Sequence, residues 1–212
     1  LLDAGADLKE TLPYQVEDIR EPSETEILFF DWETAQAQVR IEFADGQYDE
    51  SNELEIDLYN DYFGGGMSSI VFQELREARA LAYSVGARYL PAGNKKSENL
   101  MLAAIGTQPD KAVEALEVFL DLFDNLPESE GRFENTLGSL DNQFRVGKLK
   151  FREIPGAVKS WEQLGYSADP RPERFAELQD ASFKDMTEFH QSRIAGRPKL
   201  ISIVGPRDRL DL

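Results

Sequence analysis

Two strand-like runs, residues 82–90 and 100–106, are split by the polar loop Pro91-Ala92-Gly93-Asn94-Lys95-Lys96, and this pairing limits the possible folds more than any other feature. A polar loop of that kind lets the two strands pair antiparallel. A third run, Ala37-Gln38-Val39-Arg40-Ile41-Glu42-Phe43, alternates apolar and polar side chains as a half-buried strand does. Before it stands a short apolar run, Ile27-Leu28-Phe29-Phe30, and after it Asp45-Gly46, which is expected to turn the chain. A sheet with one apolar face has to be covered, so the remainder must supply a second layer.

Helical spacings supply it. Leu54, Leu58 and Tyr62, with Ile56, Tyr59 and Phe63, predict a helix over 51–63, with Ser51 or Asn52 as cap and Gly64-Gly65-Gly66 as its end. Ser68 or Ser69 opens a second helix with the stripe Val71, Leu75, Ala78 and Ala82. Pro109-Asp110 starts a long one through Val113, Leu116, Phe119, Leu120 and Phe123. Phe133, Leu137, Leu140, Phe144 and Leu149 carry another to about Lys150, and Val158, Trp161 and Leu164 a shorter one after Pro155-Gly156. Asp169-Pro170-Arg171-Pro172 is predicted as loop. A last helix over 182–194 turns Phe183, Met186 and Phe189 inward and leads to a strand at 199–204 and a turn at Gly205-Pro206-Arg207-Asp208. The expected fold is α+β, a two-layer sandwich with helices on one face of a largely antiparallel sheet. Residues 1–25, with Gly5, Pro13, Pro22 and scattered charges, are expected to be a linker or arm, and 26–212 a single domain.

Composition removes whole classes of function. With 40 acidic and 23 basic side chains the formal charge is −17, and no basic cluster longer than a few residues offsets it, so nucleic acid is excluded as an expected partner. The acidity is consistent with life in high salt, where a hydrated acidic surface keeps a protein soluble. The chain has no cysteine and a single histidine, His190, which excludes disulfides, thiol nucleophiles, zinc fingers and any two-histidine metal site of its own. No run approaches the roughly 20 apolar residues that cross a bilayer, so no membrane insertion is expected. The opening Leu1-Leu2-Asp3-Ala4-Gly5 is neither an initiator methionine nor a charged signal start, and the chain reads as a piece of a longer protein. Cell envelope, periplasm and cytoplasm all stay open as its location.

Phosphate-loop and serine-hydrolase motifs are absent, as are H-x-x-E-H and H-E-x-x-H, and Gly64-Gly65-Gly66 follows a helix and lacks a lysine after it. His190 is expected to be a packing or surface residue. Carboxylate pairs such as Glu114 with Glu117, or Asp121 with Asp124, are expected on solvated faces. The informative stretch is the second helix. In α-helical register Phe72, Arg76, Arg79 and Tyr83 form a stripe beside the apolar one, and no residue three or four positions from Arg76 is acidic. On spacing alone two readings stand: a convergent arginine–tyrosine pair, or an arginine paired with another element and a tyrosine that merely begins a strand.

Residues 59–84, Tyr-Asn-Asp-Tyr-Phe-Gly-Gly-Gly-Met-Ser-Ser-Ile-Val-Phe-Gln-Glu-Leu-Arg-Glu-Ala-Arg-Ala-Leu-Ala-Tyr-Ser, resemble the pitrilysin/insulinase family of zinc metallopeptidases, which includes the mitochondrial processing peptidases. The resemblance is to the family's metal-free, C-terminal type of domain and extends from the strand at 37–43 to the one ending at Val204-Gly205. It implies one half of a clamshell around a peptide substrate, with zinc held by a partner domain carrying H-x-x-E-H, in the same polypeptide or a partner subunit. It further implies that Arg76 and Tyr83 reach the substrate and stabilise the transition state, that this chain contributes no metal ligand, and that alone it is inactive. Some members of the family keep the fold as structural or scaffolding subunits, which is the alternative. A free-standing peptide-binding module that adds a strand at the edge near Tyr83 is a third reading.

Overall fold

The computed structural model describes Ile19 and residues 21–210, so the predicted arm over 1–25 lies largely outside the described residues. Five strands form one sheet: β1 (Glu26–Asp31), β2 (Ala37–Gln47), β3 (Ser84–Leu90), β4 (Glu98–Thr107) and β5 (Leu200–Gly205). Their spatial order is β1-β5-β2-β4-β3, and every neighbouring pair is antiparallel except β1 with β5. The short loop makes β3 and β4 a hairpin, as expected, with Ala87 opposite Ala103.

Alternation sets the layers. Ala37, Val39, Ile41 and Phe43 of β2 are buried while Gln38 and Arg40 face solvent, and Met101, Ala103, Ile105, Ile201 and Ile203 share the buried face. Against that face pack α1 (Glu53–Tyr59) and α2 (Ala112–Asp124), with α3 (Glu130–Val146), α4 (Ile154–Leu164), α5 (Arg171–Leu178) and α6 (Phe183–Arg193) completing the helical part. Phe63, Phe119 and Phe123 meet at centroid distances of 5.1–6.2 Å, and Tyr59 stacks on Phe63 at 5.0 Å. The α+β sandwich read from the sequence is the fold observed.

Three local expectations are corrected. Asp45-Gly46 does not end β2: Gly46 has φ +57° and makes a bulge, and the strand continues because Asn99 Nδ2 donates to the carbonyls of Asp45 (3.2 Å) and Gln47 (3.1 Å). Asp49, rather than Ser51 or Asn52, caps the first helical turn, its carboxylate accepting from Ser51 N at 3.0 Å. The stretch around Pro170 and Pro172 opens α5, since proline in the first helical turn lacks only an N–H that would be unpaired there. The Ser182 start was legible: its hydroxyl and the Asp185 carboxylate form a reciprocal capping box.

One contact fixes where the two layers meet. Past α1 the helix widens into a π-helical turn, Asn60–Gly64. There the Asn60 amide takes the place of a sixth strand against β3, its Nδ2 donating to Tyr89 O (2.9 Å) and its Oδ1 accepting from Tyr89 N (2.7 Å). Gly64 lies so close to β3 that a Cβ on it would stand 2.0 Å from Ala87 O.

Candidate active-site contribution

The segment that leads into β3 is built by two reversals. Gly66 O accepts from both the N–H (3.2 Å) and the hydroxyl (2.7 Å) of Ser69, closing a turn that starts a helix. From Phe72 to Ala78 that helix is π-wound, so side chains five apart come onto one face. Arg79 therefore reaches back to Glu74, with Nε 3.8 Å from Oε2, and leaves the stripe expected from α-helical spacing. Arg76 lies over the Phe72 ring, 4.9 Å from its centroid, and among the described residues its one carboxylate contact is the adjacent Glu77, at 4.0 Å.

The helix then stops. Ala80 takes φ +51°, a left-handed conformation, and Leu75 O accepts from both Leu81 N (2.8 Å) and Ala82 N (3.3 Å). Leu81 and Ala82 are buried, and the Thr107 hydroxyl donates to Leu81 O. Ala82, predicted as the end of a helical stripe, is instead part of this link. Tyr83 N then joins Gly106 O at 2.8 Å and the chain enters β3.

That path brings Arg76 and Tyr83 to one cleft of about 260 Å³, with Glu77, Gln108 and Lys111 on its other sides. Tyr83 is 52% exposed and the Arg76 side chain 48% exposed, so neither is consumed by the core. Gln108 Nε2 donates to Tyr83 Oη at 2.9 Å, which leaves the phenol proton free to donate outward. Lys111 Nζ donates to Ala80 O at 3.3 Å, tying a second cation to the rim. Two cations and an oriented O–H thus converge on one small opening, an arrangement suited to holding carbonyl oxygens and developing negative charge. Sequence reasoning missed Gln108 and Lys111 because they come from the junction of β4 and α2 and carry no periodic signal of their own.

His190 is interior. It is 1% exposed, its Nε2 lies 2.8 Å from Phe123 O, and burial lowers its pKa from 6.5. Burial and the neighbouring Asp61 raise the Asp57 carboxyl to about 6, against the pull of Arg88. Among the described residues no three histidine, cysteine, aspartate or glutamate side chains are grouped to hold a metal ion.

An α+β domain whose outward-facing donors gather at a helix–strand junction is the class this fold and cleft define. The chain belongs to the M16 peptidase family, in the domain described as the peptidase M16 inactive domain, which matches residues 7–136. The family is one of zinc peptidases, as the resemblance over residues 59–84 implied, and the domain matched is its inactive one. The chain is 28% identical over 158 residues to an uncharacterized zinc protease of Streptomyces coelicolor, covering 70% of this chain and 32% of that protein. Among solved structures, the peptidase M16 inactive domain from Pseudomonas fluorescens superposes with a TM-score of 0.80 at 15% identity, covering 94% of this chain and 48% of the other. A protease from Helicobacter pylori gives 0.74 at 11% identity, covering 93% and 48%. At these identities the two structures speak to the fold. The chain spans about a third of the curated relative and about half of the solved chains.

Proposed function

We propose that residues 26–212 form the substrate-binding, zinc-free half of a zinc metalloendopeptidase, with 1–25 as the linker leading into it, and that the half works only beside a zinc-carrying H-x-x-E-H domain. The observation that carries this reading is the shared cleft of Arg76 and Tyr83, in which both side chains face outward. In the assembled enzyme the partner's zinc would supply the activated water that attacks a peptide carbonyl. Arg76 would hold a substrate carbonyl through its fixed fork of donors. Tyr83, with its oxygen already accepting from Gln108, would donate its proton toward the oxygen on which negative charge develops.

The strand-addition reading finds less support, because Asn60 occupies the outer edge of β3 at Tyr89 and Gly64 stands against Ala87. The test is Arg76→Ala and Tyr83→Phe in the full-length protein. Each is expected to lower peptide turnover by about 100-fold or more, the usual effect of losing one such donor, with bound zinc unchanged. Unchanged turnover in both would overturn the proposal and favour a scaffolding role.

A further inference from the structure

Residues 145–159 hold five of the chain's 23 basic side chains and one of its 40 acidic ones, interleaved with Val146, Leu149, Phe151, Ile154 and Val158. They run from the last turn of α3 through an irregular connection into α4. Here the usual segregation of apolar side chains fails: Phe151 is 76% exposed, Val146 65% and Ile154 45%, and no residue of α4 is buried. Arg145 is neutralised by Asp141 through bonds of 2.6 and 3.0 Å, and Lys150 meets Glu153 at 4.0 Å. Lys148, Arg152 and Lys159 have no ion-pair partner among the described residues, and Arg152 rests on the Phe151 ring at 5.2 Å. A locally cationic, apolar surface has therefore been kept in a chain of net charge −17.

Beside it, α3, α4 and α5 line an open cleft of about 870 Å³. Its walls include Leu140, Phe144, Leu149, Trp161 and Phe175, together with Lys148, the Asp57 carboxylate 3.6 Å from Arg174, and Arg171 stacked on Trp161 at 5.4 Å. Asp169 clasps Arg171 with bonds of 2.5 and 2.8 Å, which holds the guanidinium plane against the indole. The volume lies in the range of pockets that take a side chain or small ligand whole. It shares no residue with the cleft of Arg76 and Tyr83.

We propose that this cleft and its basic border form a peptide-binding site for an acidic segment with an apolar anchor. The anchor, an aromatic or leucine side chain, enters between Trp161 and Phe144, and carboxylates before or after it meet Lys148 and Arg152. Charge complementarity selects the occupant: screening over about 8 Å at physiological salt lets the patch act independently of the acidic surface farther away. An anionic bilayer would meet the exposed Phe151 and Val146 but would leave the cleft behind them unfilled, whereas a peptide uses both. The inference does not depend on the peptidase reading.

The test uses the whole chain with Trp32→Phe, which leaves Trp161 as its only tryptophan. The probes are a synthetic peptide of Asp and Glu around one Phe, its Asn/Gln counterpart, and phosphatidylcholine vesicles containing a third phosphatidylserine. Binding is followed by Trp161 fluorescence and by titration calorimetry. The acidic peptide is expected to give a saturable signal at least about tenfold tighter than the neutral one, weakening as salt is added. The exposed double variant Lys148→Glu/Arg152→Glu is expected to keep the parent's thermal melt and lose at least about tenfold in affinity. No saturable binding in either readout, equal binding of the neutral peptide, an unaffected double variant, or binding to vesicles without binding to the peptide would each overturn the proposal.

Discussion

Asn60→Ala tests how the helical layer is fastened to the sheet. The Asn60 amide makes two bonds, of 2.7 and 2.9 Å, to the main chain of Tyr89, a residue 1% exposed. Truncation leaves that N–H and C=O without partners, and an unmet buried group costs about 1–3 kcal/mol. Because β3 is an edge strand, water can approach these groups after the truncation, so the low end of the range, about 1–1.5 kcal/mol, applies to each. The expected loss is about 2–3 kcal/mol in all. For a domain of this size each kcal/mol lowers Tm by about 2–4 °C, so the melt should fall by about 4–12 °C. In urea, at a slope of about 2–3 kcal/mol/M, the midpoint should fall by about 1 M with the slope unchanged. The Tyr89 amide should also lose its protection from hydrogen exchange. Asn60→Asp separates the two bonds: it keeps an acceptor for Tyr89 N but sets a carboxylate against Tyr89 O, and should be at least as unstable as the alanine variant. A loss below about 0.5 kcal/mol for Asn60→Ala would refute the reasoning, since that is within the range of an ordinary surface substitution.

Gly64→Ala is expected to destabilise by about 3 kcal/mol or more, because the new Cβ meets the Ala87 carbonyl and two backbone segments must separate; an unchanged denaturation midpoint would count against the close approach. His190 contributes a pH dependence whose sign follows from its lowered pKa. The unfolded chain binds the proton near pH 6.5 and the folded one only at lower pH, so stability is full above 6.5 and is lost as pH falls below it. His190→Gln should flatten that decline relative to the parent in melts from pH 7.5 to 5, and a parallel decline in both would refute it. If the net charge of −17 reflects adaptation to high salt, stability should rise from dilute buffer to molar salt, and equal stability in the two would end that idea.

Local physics made the β2 alternation, the β3–β4 hairpin, α2 and the helix start at Ser182 readable, because each is determined within a few residues. The pairing of β1 with β5 was not, since nothing in Ile27-Leu28-Phe29-Phe30 names its partner. Nor was α5, where Pro170 and Pro172 look like breakers until one knows they fall at a helix start. In the candidate site Arg76 and Tyr83 could be singled out from spacing, though for a reason that the structure replaces. They meet because the chain reverses at Ala80, whereas a continuous α-helix would have carried Arg79 along with them. The basic patch escaped notice because its cations are interleaved with apolar residues and never form an uninterrupted run.

The parallel pairing of β1 and β5 has a consequence for synthesis. Thr25 and Lys199, which join the start of the two strands, are 174 residues apart. At about 5–20 residues per second a ribosome takes on the order of 10–35 s to make the intervening chain. Throughout that interval Ile27, Leu28, Phe29 and Phe30 have been made and their partner has not, leaving a nascent apolar strand open to the wrong neighbour. Glu21, Glu24, Glu26, Asp31 and Glu33 flank it, a density of like charge that repels other copies of the same strand. A strand flanked in this way is expected to pair less readily with other copies of itself during translation, before there is a fold to solubilise.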